Sequence, residues 1–563
     1  MLSGCATRSA TLRLTPVCED EVPSALDVQL SVPLEGVPRF HLDDRVFGAP
    51  GMASLISEVR AHDSAGELRL DRIGDLELVA TREVKGAVTL EYRAKSVSTE
   101  EQGARFALRH DQTGIGGLGA FFLVLPEEST SQRTRVEWGA SACASTRAPK
   151  EHPGPLDGLR SAPYFAGDPQ VVTEGHFQTS WFGAPAFDTT EAGEWAARAF
   201  AAEREFFGEK DSKPYEIYVR VLDSMGSRAN GVGQRDSFVS VIGPRTAFGP
   251  RLRTNLAHEM LHRWLGLRLR LAGPDGMNFW FTEGFTVHYA AVLMLRAQLI
   301  SAQEFLGEVN GVVIRHFANS MSSASNDEIR RRFFEDDALS VVPYTRGALY
   351  AAELDAAIRH ESKGTRSLDD LIRSLGLEER PFSAFRAAVL REAGERAAER
   401  FDAVILRGEQ PNPPDDAYGF RFTRRPRMIA RYELGFDDRE GSVKDLIVGS
   451  AAQRAGLVEG DTLLSVDASP LVPTQEALVV VKRDGKEHVV RYFPKREGAD
   501  TLGWEWVERD LAELTPEERP AAPSPRAALQ AGLPASPPEA PAASATELPL
   551  PSSRLPRTSR SWR

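Results

Sequence analysis

The chain has 563 residues, with 80 Asp and Glu against 68 Lys and Arg and a formal net charge of -12. That length exceeds a single hydrophobic core and sets an expectation of about three or four domains. The acidic balance, without a dense Lys/Arg block, excludes nucleic acid as an expected partner, and no stretch approaches the roughly 20 apolar residues needed for a transmembrane segment.

At the amino terminus Leu2-Ser3-Gly4-Cys5 resembles the lipobox of bacterial lipoproteins. Only Met1 precedes it, where a charged start and an apolar core of about 7 to 15 residues belong. The expectation is a cell-envelope lipoprotein if Cys5 is lipidated and the true start lies upstream, and a cytoplasmic protein otherwise. The cysteines, Cys5, Cys18 and Cys143, are odd in number and match neither a zinc knuckle nor a redox pair, which argues against a disulfide scaffold.

Residues 10–168 alternate apolar and polar positions in short runs, as in Leu26-Asp27-Val28-Gln29-Leu30-Ser31-Val32, broken by Gly, Pro and Asp clusters. They read as an all-β, sandwich-like domain. From 169 to 425 the character is mixed, with an amphipathic helix over 191–207, strands over 214–221 and 237–242, and helices beyond. The stretch Gly231-Val232-Gly233-Gln234-Arg235-Asp236 reads locally as a glycine-rich turn feeding the second strand.

His258-Glu259-Met260-Leu261-His262 carries the chemistry. Imidazoles four residues apart lie one helical turn from each other, so both nitrogens can face one Zn²⁺. The flanks agree, since Leu252, Leu256, Met260 and Leu261 recur at helical spacing. Glu259 then faces the open side of the metal, where water is deprotonated. A third ligand is required, and Glu283 sits in the aromatic stretch Phe279-Trp280-Phe281-Thr282-Glu283-Gly284-Phe285, where an unpaired carboxylate is costly. Two histidines and a glutamate leave one zinc position open, as in a catalytic site.

These residues, with Pro343-Tyr344-Thr345-Arg346-Gly347-Ala348-Leu349 and Ser367-Leu368-Asp369-Asp370-Leu371, resemble the glycyl-aminopeptidase-type zinc metallopeptidases that carry a PDZ domain, within the gluzincin group. The resemblance implies a thermolysin-like catalytic domain with a helical lobe over 169–425, one Zn²⁺ per chain on His258, His262 and Glu283, Glu259 as general base and acid, and Tyr344 as oxyanion donor. Relatives hold the substrate's amino terminus with a glutamate in a Gly-Gly-Leu-Glu-His-like segment. The corresponding residues here are Gly231, Gly233, Gln234 and Asp236, with a neutral amide at the anchor position and Asp236 as the nearest replacement charge.

Glu433-Leu434-Gly435-Phe436, together with 449–467, resembles a PDZ domain spanning 428–498. Backbone N–H groups of Leu434, Gly435 and Phe436 are then expected to cradle the carboxylate of a C-terminal peptide ligand, although Asp437 and Asp438 oppose an incoming anion. Residues 508–563 are rich in Pro, Ala and Ser and read as a disordered tail. The whole is therefore expected to be a multidomain α+β zinc peptidase acting on peptides, an aminopeptidase releasing Gly or Ala. The alternatives are an endopeptidase or a peptidase of altered end-group preference, and a PDZ scaffold with a silent metal lobe.

Overall fold

The computed structural model describes residues 9–510 apart from 44, 47–48, 51, 76, 101–103, 130, 132, 211–212, 227, 275 and 439–440. The lipobox-like pattern at 2–5 and residues 511–563 of the tail lie outside them. Two compact units divide the chain, one made of residues up to Gly193 with Lys213–Ala247, the other of Glu194–Ser212 with Phe248 onward.

In the first unit, period-two alternation produces strands with one buried face. Leu26, Val28, Leu30 and Val32 of Val22–Pro33 turn into the same core as Val88, Leu90 and Tyr92 of Ala87–Lys95, and the two strands pair antiparallel with Leu30 opposite Leu90. They sit in a seven-stranded sheet where Ala10–Glu19 runs parallel to Arg133–Trp138. Phe177–Phe182, Tyr215–Val221 and Ser237–Ile242 then form the parallel centre of a five-stranded sheet, with Ala229–Gly233 antiparallel at one edge. Ser237–Ile242 is buried along its whole length, which is why it reads as a nearly continuous apolar run. This sheet groups with the N-terminal sheets, so the boundary expected at 168 falls inside a compact unit.

Cys18 and Cys143 form a disulfide across a sequence separation of 125. This corrects the reading that argued against a disulfide in this chain. The parallel pairing of Ala10–Glu19 with Arg133–Trp138 brings the carboxyl-terminal ends of both strands to the same end of the sheet, a long-range event that leaves no spacing signal.

The second unit is built on the helices Pro250–Leu261, Thr286–Arg296, Ala302–Ala318, Asp337–Glu361 and Phe382–Phe401. Trp280, Phe281, Phe285, Phe385 and Phe401 form an aromatic centre, with Trp280 5.0 Å from Phe385 and 5.4 Å from Phe401 between ring centroids. Towards the carboxyl end, Phe422–Tyr432 and Lys495–Glu508 pair as a long ribbon beside a three-stranded sheet. The ribbon docks on Ala302–Ala318: the Asn310 amide donates to the Trp506 carbonyl at 2.9 Å and accepts from its N–H at 2.6 Å. Phe317 packs edge-on against Trp504 at 4.8 Å. Among the described residues no helix is long and apolar enough to cross a membrane.

Candidate active site

The helix Pro250–Leu261 starts with an extended Gly249 and with Pro250 in its first turn, where a missing N–H costs nothing. Leu252, Leu256, Met260 and Leu261 are buried on one side, which fixes the rotation of the helix and sends His258 and His262 to the other. The next element is a π-helical turn, Trp280–Phe285, that runs directly into Thr286–Arg296. Burial of Trp280, Phe281 and Phe285 leaves Glu283 as the polar group facing out of the aromatic centre.

The three side chains converge. His258 Nε2 lies 3.1 Å from His262 Nε2, and Glu283 Oε2 lies 3.3 Å from the first and 3.4 Å from the second. A tetrahedral ion with bonds of about 2.0–2.1 Å requires its ligand atoms to stand about 3.3 Å apart, so the triangle fits a zinc ion without rearrangement. The His262 Nδ1–H donates to the Leu265 carbonyl at 3.2 Å, which leaves the Nε2 lone pair for a metal. Between them the three groups offer two neutral nitrogens and one anion, a donor set suited to zinc.

Without a cation, His262 takes up a proton instead. Burial would lower the His262 pKa, but the Glu283 carboxylate, assisted by Glu259, outweighs it and holds the imidazole at about 9. Burial would likewise raise Glu283, yet the two imidazoles hold it below the usual carboxylate range. Glu259 is 7% exposed on the same helix. Tyr344 stacks on His258 with 6.2 Å between ring centroids. It is carried by Asp337–Glu361, directly after Pro343 inside that helix.

Two supports went unrecognised in the sequence. Gly284 and Gly347 let the π-helical turn and the long helix cross with backbones nearly touching. Glu209 clamps the residues that follow His262. It accepts from Arg263 Nη2 at 2.8 Å and Trp264 Nε1 at 2.6 Å, with Arg268 Nη1 at 3.1 Å. The glycines lie inside the motif stretches and a small-residue signal was present there, whereas Glu209 is 54 or more residues from the side chains it clamps and carried none.

The substrate-anchor candidates belong to the first unit. Gly231 and Gly233 are strand residues opposite Ser240 and Phe238. Gln234 N–H donates to the Ser237 carbonyl at 2.8 Å, closing a hairpin turn in which Arg235 and Asp236 are exposed. Gln234 opens that turn and Asp236 lies within it, so the two do not occupy alternate positions on one strand face. In the C-terminal module Leu434 and Phe436 are buried in its core. The Gly435 carbonyl accepts from Ile447 N–H at 2.8 Å, and the Tyr492 hydroxyl donates to the Leu434 carbonyl at 2.7 Å.

A family model for the M61 glycyl aminopeptidases matches residues 251–329, the segment that holds His258, Glu259, His262 and Glu283 and ends before Tyr344. No curated protein matches the sequence. Among solved structures the chain is similar to an aminopeptidase N family protein from Idiomarina loihiensis, with 15% identity and a TM-score of 0.66 over 88% of this chain and 98% of that one. An M1 zinc metallopeptidase from Deinococcus radiodurans, bound to a Tyr-Ser-Ala substrate, is also similar, at 17% identity and a TM-score of 0.46 over 72% and 95% of the two chains. The fold is thus multidomain α+β of the aminopeptidase N kind, and with the family match it supports a peptidase of the gluzincin group.

Proposed function

We propose that this chain is a zinc-dependent aminopeptidase that releases small amino-terminal residues, glycine or alanine, from peptides. The reading is carried by the near-equilateral triangle of His258, His262 and Glu283 donor atoms, with edges of 3.1, 3.3 and 3.4 Å. These residues would hold one Zn²⁺, which supplies Lewis acidity to the carbonyl under attack. Glu259, adjacent in sequence to the first imidazole, takes a proton from the attacking water and returns it to the leaving amine. Tyr344 donates a hydrogen bond to the oxygen that becomes anionic, which favours the transition state over the ground state.

The neutral Gln234 favours a second reading, in which the substrate's ammonium group is held weakly and the enzyme acts as an endopeptidase or with an altered end-group preference. Glycyl and alanyl amides, beside an N-acetylated peptide, separate the two. Cleavage of the amides that is abolished by a chelator and restored by zinc supports the aminopeptidase. Cleavage of the blocked peptide alone supports the endopeptidase. Zinc-loaded protein that cuts neither returns the scaffold reading.

For the PDZ-like module over 428–498 we propose a packing role over peptide capture, because Asp437 and Asp438 beside the loop oppose an incoming carboxylate and the strand Lys495–Glu508 that leaves the module is tied through Trp506 to Asn310. The Cys18–Cys143 pair suits an oxidising compartment and favours the cell envelope.

A further inference from the structure

A cavity of about 300 Å³ opens in the helical unit and shares no lining residue with the metal triad. That volume is at the lower end of the range for small-molecule sites. Val292, Phe305 and Tyr418 contribute apolar lining, and His288, Arg296 and Arg366 polar lining.

The charges around it are unevenly used. Arg296 Nη1 donates to Asp369 at 2.7 Å, and Arg366 Nη1 donates to Glu392. Arg359, also on the wall, spends its Nε on Asp355 at 2.9 Å and its Nη2 on the Asp416 and Ala417 carbonyls. Asp355 is the one carboxylate among the lining residues, against three guanidiniums. Nε and Nη2 of both Arg296 and Arg366 donate to no other described group. His288 Nδ1 is buried without a hydrogen-bond partner among the described residues, and its ring stacks on Tyr418 at 6.0 Å. Burial pushes His288 down to about 4, so the ring is neutral at neutral pH and does not repel a cation or attract an anion by charge.

We propose that this cavity binds a small organic carboxylate with an apolar body, of amino-acid size. The carboxylate meets the spare N–H groups of Arg296 and Arg366, as charge-assisted and bidentate recognition favours. The apolar body lies against Phe305 and Tyr418. His288 and Arg296 belong to Thr286–Arg296, which continues from the turn carrying Glu283, while Asp355 and Arg359 belong to the helix carrying Tyr344. Occupancy therefore braces the far ends of both helices. Any effect on turnover rests on the peptidase reading, whereas the binding itself does not.

Calorimetric titration of the zinc-loaded full chain with 3-phenylpropionate tests the site, with 3-phenylpropanol as the neutral counterpart. Loss of one charge-assisted contact is expected to weaken binding about tenfold or more, both for the alcohol and for the acid on Arg366→Gln. Val292→Phe, which fills the cavity without touching its charges, is expected to abolish binding of the acid, so misfolding of one variant leaves the other informative. Acid binding that survives both variants but disappears with a chelator belongs to the metal centre and overturns the proposal. Equal binding of acid and alcohol, or no binding of either to the parent protein, overturns it as well.

Discussion

Gly284 and Gly347 meet where the turn carrying Glu283 crosses the helix carrying Tyr344: a Cβ on Gly347 would collide with the Trp280 carbonyl oxygen and lie 2.8 Å from the Gly284 Cα. Both obstacles are backbone and cannot rotate away. Gly347→Ala is therefore expected to push the two elements apart, at a stability loss of roughly 1–3 kcal/mol, and to weaken zinc binding. Thermal melting with and without added zinc checks this, and an unchanged midpoint would mean that the crossing yields freely.

Glu259→Gln keeps the size of the side chain and removes the base. Turnover is expected to fall by about 10²- to 10⁴-fold, the usual contribution of a general base, while zinc content stays at the parent level. Loss of zinc together with activity would give Glu259 a structural part instead.

Glu209→Gln leaves Arg263 and Arg268 facing a neutral amide beside the end of the motif helix. Zinc affinity is expected to fall about 10- to 100-fold, as with other groups that orient metal ligands at one remove. Competition with a fluorescent chelator measures it. Equal affinity would show that Leu265 alone orients His262.

The metal-free protein should depend on pH through the ion pair between His262 and Glu283. His262 is raised from 6.5 to about 9, so its contribution is complete below 6.5 and lost as pH rises through 9. Glu283 is depressed, so its contribution is present above 4.5 and lost as pH falls towards its lower folded value. Both shifts describe one pair. Chelated protein is thus expected to melt progressively earlier from about pH 6.5 to 9 relative to a His262→Gln variant treated alike, and the extra stability conferred by zinc is expected to grow across the same interval as protons cease to compete. A flat difference between the two chelated proteins would remove the pair.

Reduction of Cys18–Cys143 is expected to lower the melting temperature, because a closed loop of 125 residues restrains the unfolded chain. Thiol titration of the denatured, unreduced protein should find neither of these two cysteines reactive.

What was legible in the sequence was what local geometry dictates. His258 and His262 lie four residues apart on a helix whose buried face, through Leu252, Leu256 and Met260, is readable by period alone. Glu283 was legible because a carboxylate among Trp280, Phe281 and Phe285 needs a partner. The π-helical turn around it was not, since one extra residue per turn has no compositional mark. Glu209, the Cys18–Cys143 pair and the grouping of the central sheet with the N-terminal unit all depend on distant segments meeting, which no local pattern records. The ribbon strand Lys495–Glu508 runs past the module boundary expected at 498 because Trp504 and Trp506 pack on Ala302–Ala318, some 190 residues away in the chain.

The central claim is that one zinc ion occupies the triangle of His258, His262 and Glu283. Diffraction data collected on either side of the zinc absorption edge test it most directly. One anomalous peak is expected per chain, about 2.0–2.2 Å from each of the three donor atoms. A peak elsewhere, or none from protein crystallised with zinc, would contradict the assignment.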